Sequence, residues 1–290
     1  MKIQQHFAPK INQAIKNQFK VFVKAVEENG YDYAKRNIFT IVKFQEIAQI
    51  IKDLYFKSAH IEANEVLGYL RKRKSYNEGM TYKFETKRVR PRFGIGFDDL
   101  APVIDQYFQI YLLNNSALPI TATTRKIIIK HLINEVDSGK PLAKALKDFT
   151  DLAITGGSVF SLPRAIGIAR TESTRAMSFG GLLGAYMTGI DLDKVWVTSD
   201  DERVRTHPYS HVKLDLNEVD MKGSFYNREY IRFPGDPKAS IENTANCRCA
   251  MFFKEKEDPE EDEDRDIRNF LIDIFSGLFI GAAIELTSEN

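Results

Sequence analysis

Arg170-Thr-Glu172, Lys194-Val-Trp-Val-Thr198, Asp201-Glu-Arg-Val-Arg205, Phe233-Pro-Gly-Asp-Pro237 and Asn246-Cys-Arg-Cys249 follow one another inside residues 165–250, with His207 and His211 between the third and the fourth. The local patterns in this stretch decide the fold class. Ser161-Leu-Pro-Arg164 opens a helix with a capping serine and an early proline, and the helical pattern runs to about Met187. Val195-Trp-Val-Thr198 then has the β-branched and aromatic character of a strand, and Ser199-Asp-Asp201 reads as a turn. Residues 213–233 suit short strands or a long loop, and Ala250-Met-Phe-Phe253 reads as a last short strand. The expectation is an α+β protein: a mainly helical N-terminal region, a small mixed α/β domain and a terminal apolar helix.

One face of the 161–187 helix is small: Ala169, Ser173, Ala176, Gly180 and Gly184. Glycine in a helix is worse than alanine by ~1 kcal/mol, so this face should be packed closely by a neighbour. Glu172 lies one turn before Arg175 and can pair with it, with Arg170 alongside.

Upstream the chain reads as helices. Ile11, Ala14, Ile15, Phe19, Phe22 and Val23 predict a helix over 2–29, stopped at Asn29-Gly30. Ile41, Phe44, Ile47, Ile51, Leu54 and Tyr55 predict another over 40–71. Residues 98–114 are apolar and rich in tyrosine, as for a core or partner-facing helix, and 114–119 is a break. Thr121-Ala-Thr-Thr124 opens a helix that Ser138-Gly139 ends, with a threonine as its cap, and Pro141–Phe149 forms a further short helix.

Composition and charge narrow the function classes. With 43% hydrophobic and 28% charged residues the chain is globular rather than disordered. A net charge of +1 gives no global nucleic-acid signal, but the charge is uneven. Arg71, Lys72, Arg73, Lys74, Lys87, Arg88 and Arg90, interleaved with Tyr76, Tyr82, Phe84 and Phe93, are a candidate nucleic-acid surface; a solvated loop, or a face for an acidic protein, fits the same residues. Residues 254–266 are acidic and read as a linker, and 267–290 as a terminal apolar helix. The longest apolar run, 274–284, is about half of the ~20 residues needed to span a bilayer, so no stable membrane insertion is expected. No export signal is read at Met1–His6.

The two cysteines are Cys247 and Cys249, too close in sequence for an unstrained disulfide. With His207 and His211 they supply the ligand types of a tetrahedral zinc site, so Zn2+ is the candidate cofactor; a hydrogen-bonded histidine beside reduced thiols is the plain alternative. A metal nuclease using His207 or His211 with Asp200 or Asp201 is a further possibility. No Ser-His-Asp order, phosphate-binding glycine loop or dinucleotide fingerprint is present.

In this order the motifs resemble the phage Mu F-like head morphogenesis proteins, minor head proteins of tailed bacteriophages. The matching residues are Thr121-Ala-Thr-Thr124, Arg164-Ala-x-x-Ile-Ala-Arg-Thr-Glu172, Gly180 or Gly181, Lys194-Val-Trp196, Asp201-Glu-Arg-Val-Arg205, Phe233-Pro-Gly-Asp-Pro237 and Asn246-Cys-Arg-Cys249, across roughly 115–253. His211, followed by Asp215, takes the place of the family histidine, and His207 stands one residue early. The resemblance implies a non-enzymatic virion component, assembled in the bacterial host cytoplasm and bound to the portal oligomer at one capsid vertex. It would act in head morphogenesis and in DNA packaging or ejection, with other capsid proteins and DNA as further partners. Arg170, Glu172, Arg175, Trp196, Asp201, Arg203 and Arg205 are then its structural signature. The domains expected are 1–113 (helical), 114–253 (the Mu F-like domain), 254–266 (acidic linker) and 267–290 (apolar helix). A metal-dependent nuclease or toxin-like enzyme, or a nucleic-acid-binding module using residues 71–92, is the alternative.

Overall fold

The computed structural model describes residues 2–79, 116–154 and 161–256, with side chains at all of these except 2, 71–79, 153 and 154. Several expectations fall outside that range: Lys87, Arg88 and Arg90, the 98–114 helix, the acidic segment and the terminal apolar helix. Arg71, Lys72, Arg73 and Lys74 lie on a helix, but their side chains are outside it too.

The chain is α+β, helical first and with small antiparallel sheets in its C-terminal part. Among the described residues the helices are α1 Lys2–Asn29, α2 Tyr31–Arg36, α3 Ile38–Ile41, α4 Gln45–Gly79, α5 Leu118–Ile128, α6 Asn134–Asp137, α7 Leu142–Ile154, α8 Leu162–Met187 and α9 Ile241–Thr244. A π-helical segment, Ile129–Ile133, joins α5 to α6. The strands are β1 Leu192–Val197, β2 Glu218–Asp220, β3 Phe225–Tyr226, β4 Tyr230–Ile231 and β5 Ala250–Glu255. One sheet runs β2-β1-β5, and β3 pairs with β4 in a second. The residues fall into two units, one of residues 1–54 and 108–173, the other of 55–107 and 174–290.

In the first unit the stripe read from the sequence is the core. Ile11, Ala14, Ile15, Phe19 and Phe22 of α1 are all buried, and Phe19 meets Phe149 of α7 edge to face with ring centroids 4.7 Å apart. Gly30, at φ 86°, ends α1 as expected.

Several helix boundaries need correction: α4 runs on to Gly79 and α7 to Ile154, and two helix starts differ. The helix expected over 40–71 begins at Gln45, after a separate turn of helix at 38–41. Arg125, far away in sequence, stabilises that break: its guanidinium donates to the Val42 carbonyl (3.0 and 2.7 Å) and the Phe39 carbonyl (3.1 Å). The threonines do not cap α5, which begins three residues earlier at Leu118 after Ala117 with no side-chain cap. Thr123 and Thr124 instead donate back to the Pro119 and Ile120 carbonyls, and Thr121 accepts from Gln18 at 3.0 Å. Ser161 does cap α8, accepting from the Arg164 N–H at 3.4 Å.

In the second unit the small face of α8 meets the small face of α4. Cβ atoms added at Gly180 and Gly184 would run into the backbones of Ala59 and Ala63. The glycines are four apart and so are the alanines, so successive turns of the two helices touch backbone to backbone. The sheet packs beside them: Gly181 faces Phe253 of β5, and Tyr69 of α4 stacks edge-on with Phe252 at 5.9 Å. On β1, Trp196 is fully buried and gathers Leu214, Phe225, Ile231, Cys247 and Cys249 into one cluster. Among the described residues no helix is long and apolar enough to cross a membrane.

Candidate metal centre

His211, Cys247 and Cys249 converge in the second unit, all buried, their ligand atoms within 4.8 Å of one another. Three elements bring them there. The end of β1 fixes the segment carrying His211, because Asp215 accepts from the Thr198 N–H (2.8 Å) and hydroxyl (2.9 Å). Trp196 packs edge-on against the His211 ring, centroids 5.3 Å apart. The cysteines immediately precede β5, whose antiparallel register on β1 sets Ala250 opposite Val197. Thr174 of α8 holds the loop from beneath, donating to the Cys247 carbonyl at 2.7 Å.

The orientation of the imidazole follows from its outer partners. Asn243 on α9 donates its amide N–H to Glu229 Oε1 at 2.8 Å, so its oxygen faces His211. The Nε2–H of His211 therefore donates to Asn243 Oδ1 at 2.8 Å. That leaves Nδ1 bare, and it points at both sulfurs, 3.6 Å from Cys247 and 3.4 Å from Cys249. Glu229 is fixed in turn by the backbone N–H and hydroxyl of Ser240. A ligating histidine whose other nitrogen is tied down in this way has its tautomer and ring angle set before a metal arrives.

The thiols are poised as a pair. A hydrogen bond from Cys249 holds Cys247 well below the ordinary thiol range, against burial. The same hydrogen bond, together with burial, pushes Cys249 up. The buried Trp196 N–H meets no oxygen or nitrogen acceptor, and it acts to favour the Cys249 thiolate, as does the charge of Arg205. These three residues can hold a metal ion.

The fourth expected ligand, His207, is not one of the converging set. It is exposed and lines a cavity of about 300 Å³ onto which the site opens, with Ser199, Arg203, Thr206 and Arg248 among the other walls.

The signature residues divide by position. Arg175 donates to the Gly235 carbonyl at 2.8 Å, and Gly235 adopts φ 79° where a Cβ would lie 3.1 Å from the Arg175 backbone. Arg205 donates to the Asn243 carbonyl and, at 2.6 Å, to that of Ala245, clamping the turn before the cysteines. Asp201 pairs with Arg248, while Arg203 is exposed at the cavity. Arg170 and Glu172 belong to the first unit, where Glu172 is buried and accepts from Ser116 at 2.8 Å. The Asp of Pro-Gly-Asp-Pro, Asp236, is buried under a two-pronged grip from Arg232 (2.6 and 2.7 Å). Burial works to raise its carboxyl, but Arg232 and two backbone N–H groups bring it below the usual range.

Glu229 and Asn243 went unread in the sequence. They lie 18 and 32 residues beyond His211, and only the chain's return through β3, β4 and α9 brings them together. Lys194 was read as part of a motif, yet it is a buried cation: its ammonium donates to the Met221 carbonyl at 3.0 Å, and burial, aided by the charge of Arg232, pushes it down to about 7. Comparison with protein-family models, curated proteins and solved structures gave no match.

Proposed function

We propose that this chain is a non-enzymatic minor head protein of a tailed phage, bound to the portal oligomer at the capsid vertex, and that a structural Zn2+ holds its small mixed domain. One observation carries this reading. Motif residues from Arg175 to Cys249 are tied to one another or to the turn before the cysteines: Arg175 on Gly235, Arg205 on Asn243 and Ala245, Asp201 on Arg248, His211 with the cysteines. They support a fold and leave the helices to meet partners. DNA and other capsid proteins are further partners on this reading.

Zinc suits the donor set. With Zn–S near 2.3 Å and Zn–N near 2.0–2.1 Å, a tetrahedral ion sets its N and S ligands about 3.5 Å apart. The His211 Nδ1 to sulfur distances of 3.6 and 3.4 Å fit that spacing.

Co-expression with the portal protein encoded by the same phage tests the assignment. The chain should co-elute with the portal ring and be present in purified heads; absence from both would overturn it. Elemental analysis should find one zinc per chain, lost in His211→Ala.

A second reading, a hydrolytic metal enzyme, draws on the three-ligand set, since catalytic zinc sites keep one position for water. Among the described residues no Asp or Glu lines the cavity, so such an enzyme would have to use the exposed His207 as general base. A nuclease assay on zinc-loaded wild type and His211→Ala separates the two: metal-dependent cleavage lost in the variant would favour the enzyme.

A further inference from the structure

Resting on the metal reading above, we infer that the ion's fourth coordination position is an exchangeable anion site, facing a cationic pocket, and is not closed by a protein ligand. Three side chains converge and no fourth does: among the described residues the metal-ligating group consists of His211, Cys247 and Cys249 alone. All three line the cavity of about 300 Å³, so a ligand completing the ion's coordination would enter from that cavity. At ~30 Å³ per water that is room for about ten waters, or for an anion with its hydration, and too little for a folded segment.

The charge around the opening selects the ligand. A divalent ion with two thiolates and one neutral imidazole is formally neutral. Among the described residues the walls carry Arg203, Arg205 and Arg248 and no carboxylate. Asp201 neutralises Arg248, but Arg205 donates only to carbonyl oxygens, and no acidic partner holds Arg203 among the described residues. Arg203 and Arg205 thus add positive charge to the walls around a neutral centre. An incoming anion gains from both, and a neutral or cationic ligand does not. Thr206, Ser199 and His207 add hydrogen-bonding groups at the rim.

Cobalt(II) makes the position visible, because its absorption reports both sulfur ligation and coordination geometry. Apo protein is loaded with Co2+ and titrated with thiocyanate at constant ionic strength. The sulfur-to-cobalt band should appear on loading, and the d–d bands should then shift saturably with thiocyanate. Arg203→Ala, a change at an exposed side chain, should bind thiocyanate roughly tenfold more weakly. His207→Ala should leave the anion-free spectrum unchanged.

A loaded wild-type spectrum that ignores saturating thiocyanate overturns the inference. So does an anion-free spectrum altered in His207→Ala, which would make His207 the fourth ligand. Failure of the sulfur-to-cobalt band itself overturns the metal reading beneath it, and the two failures are told apart by that band.

Discussion

Lys194 sets an electrostatic problem at the scale of one residue. It lies on the buried face of β1 with Leu192 and Trp196, and burial pushes its ammonium down to about 7, against an ordinary value near 10.4. Between those two values the unfolded chain binds a proton that the folded chain does not. Stability contributed at this site therefore rises with pH across that window, and below about 7 the destabilisation is at its full size. Lys194→Met keeps the aliphatic stem and removes the titration. The variant should be more stable than wild type near pH 6.5, and its advantage should shrink by about 2–3 kcal/mol by about pH 9. Urea unfolding at both pH values measures this; a constant difference would show that Lys194 titrates normally. Asn243 is the second residue whose role is sharply testable. It fixes the tautomer of His211 through Oδ1 and is itself fixed by Glu229. Asn243→Ala should weaken metal affinity roughly 10- to 100-fold, read by competition with a chromophoric chelator, with helical content unchanged. Equal affinities would mean that the imidazole is held by Trp196 packing alone.

At the scale of elements, α4 and α8 show how composition dictates approach. Their small residues are four apart on each helix, so the backbones close to contact at Ala59 with Gly180 and at Ala63 with Gly184. A Cβ at Gly184 would stand 2.7 Å from the Ala63 carbonyl oxygen. Gly184→Ala should then destabilise by roughly 1–3 kcal/mol. Gly68 is the control: it lies within α4 with nothing near its missing Cβ, and Gly68→Ala should stabilise by up to about 1 kcal/mol. Thermal melts of the two variants should move in opposite directions, and a shared direction would refute the close packing. This crossing was legible in the sequence because glycine at helical spacing needs a neighbour to justify it. The α1 stripe was legible for a similar reason, since its apolar side chains recur every third or fourth residue and are buried together. The start of α4 was not, because Arg125, 83 positions beyond Val42, decides where the chain breaks. The α5 threonines misled because a threonine one turn inside a helix can return its hydroxyl to the preceding carbonyl as readily as cap an end. At the metal centre the ligand types could be read from local spacing. The choice of His211 over His207, and the Glu229–Asn243 support behind it, depends on how β1, α9 and β5 meet.

For the molecule as a whole, the two units differ in what sustains them. The first has an aromatic and aliphatic helical core, with Phe7, Phe19, Phe22 and Phe149 buried. In the described part of the second, beyond its α4–α8 crossing, the six-residue pair β1–β5 is surrounded by turns and shorter strands, where β2 has three residues and β3 and β4 have two each. Isolated strands of that length are not stable, and their order has to come from tertiary ties. Asp236 with Arg232, Arg205 on the 243–245 turn, and the His211–Cys247–Cys249 cluster are such ties. A metal held at one hundred times its dissociation constant would add about 2.7 kcal/mol to the state that binds it. Stripping it should therefore raise hydrogen-exchange rates by up to about a hundredfold in residues 205–217 and 241–250. Helices α1 and α7, whose cores contain no ligand, should keep their protection. Exchange followed by mass spectrometry with and without a chelator, in the full chain, distinguishes the outcomes. Uniform loss of protection would mean that the metal sustains the whole chain rather than one unit. No change at 241–250 would mean that the short strands rest on Asp236, Arg205 and the Trp196 cluster without it, and would remove the structural role proposed for the ion.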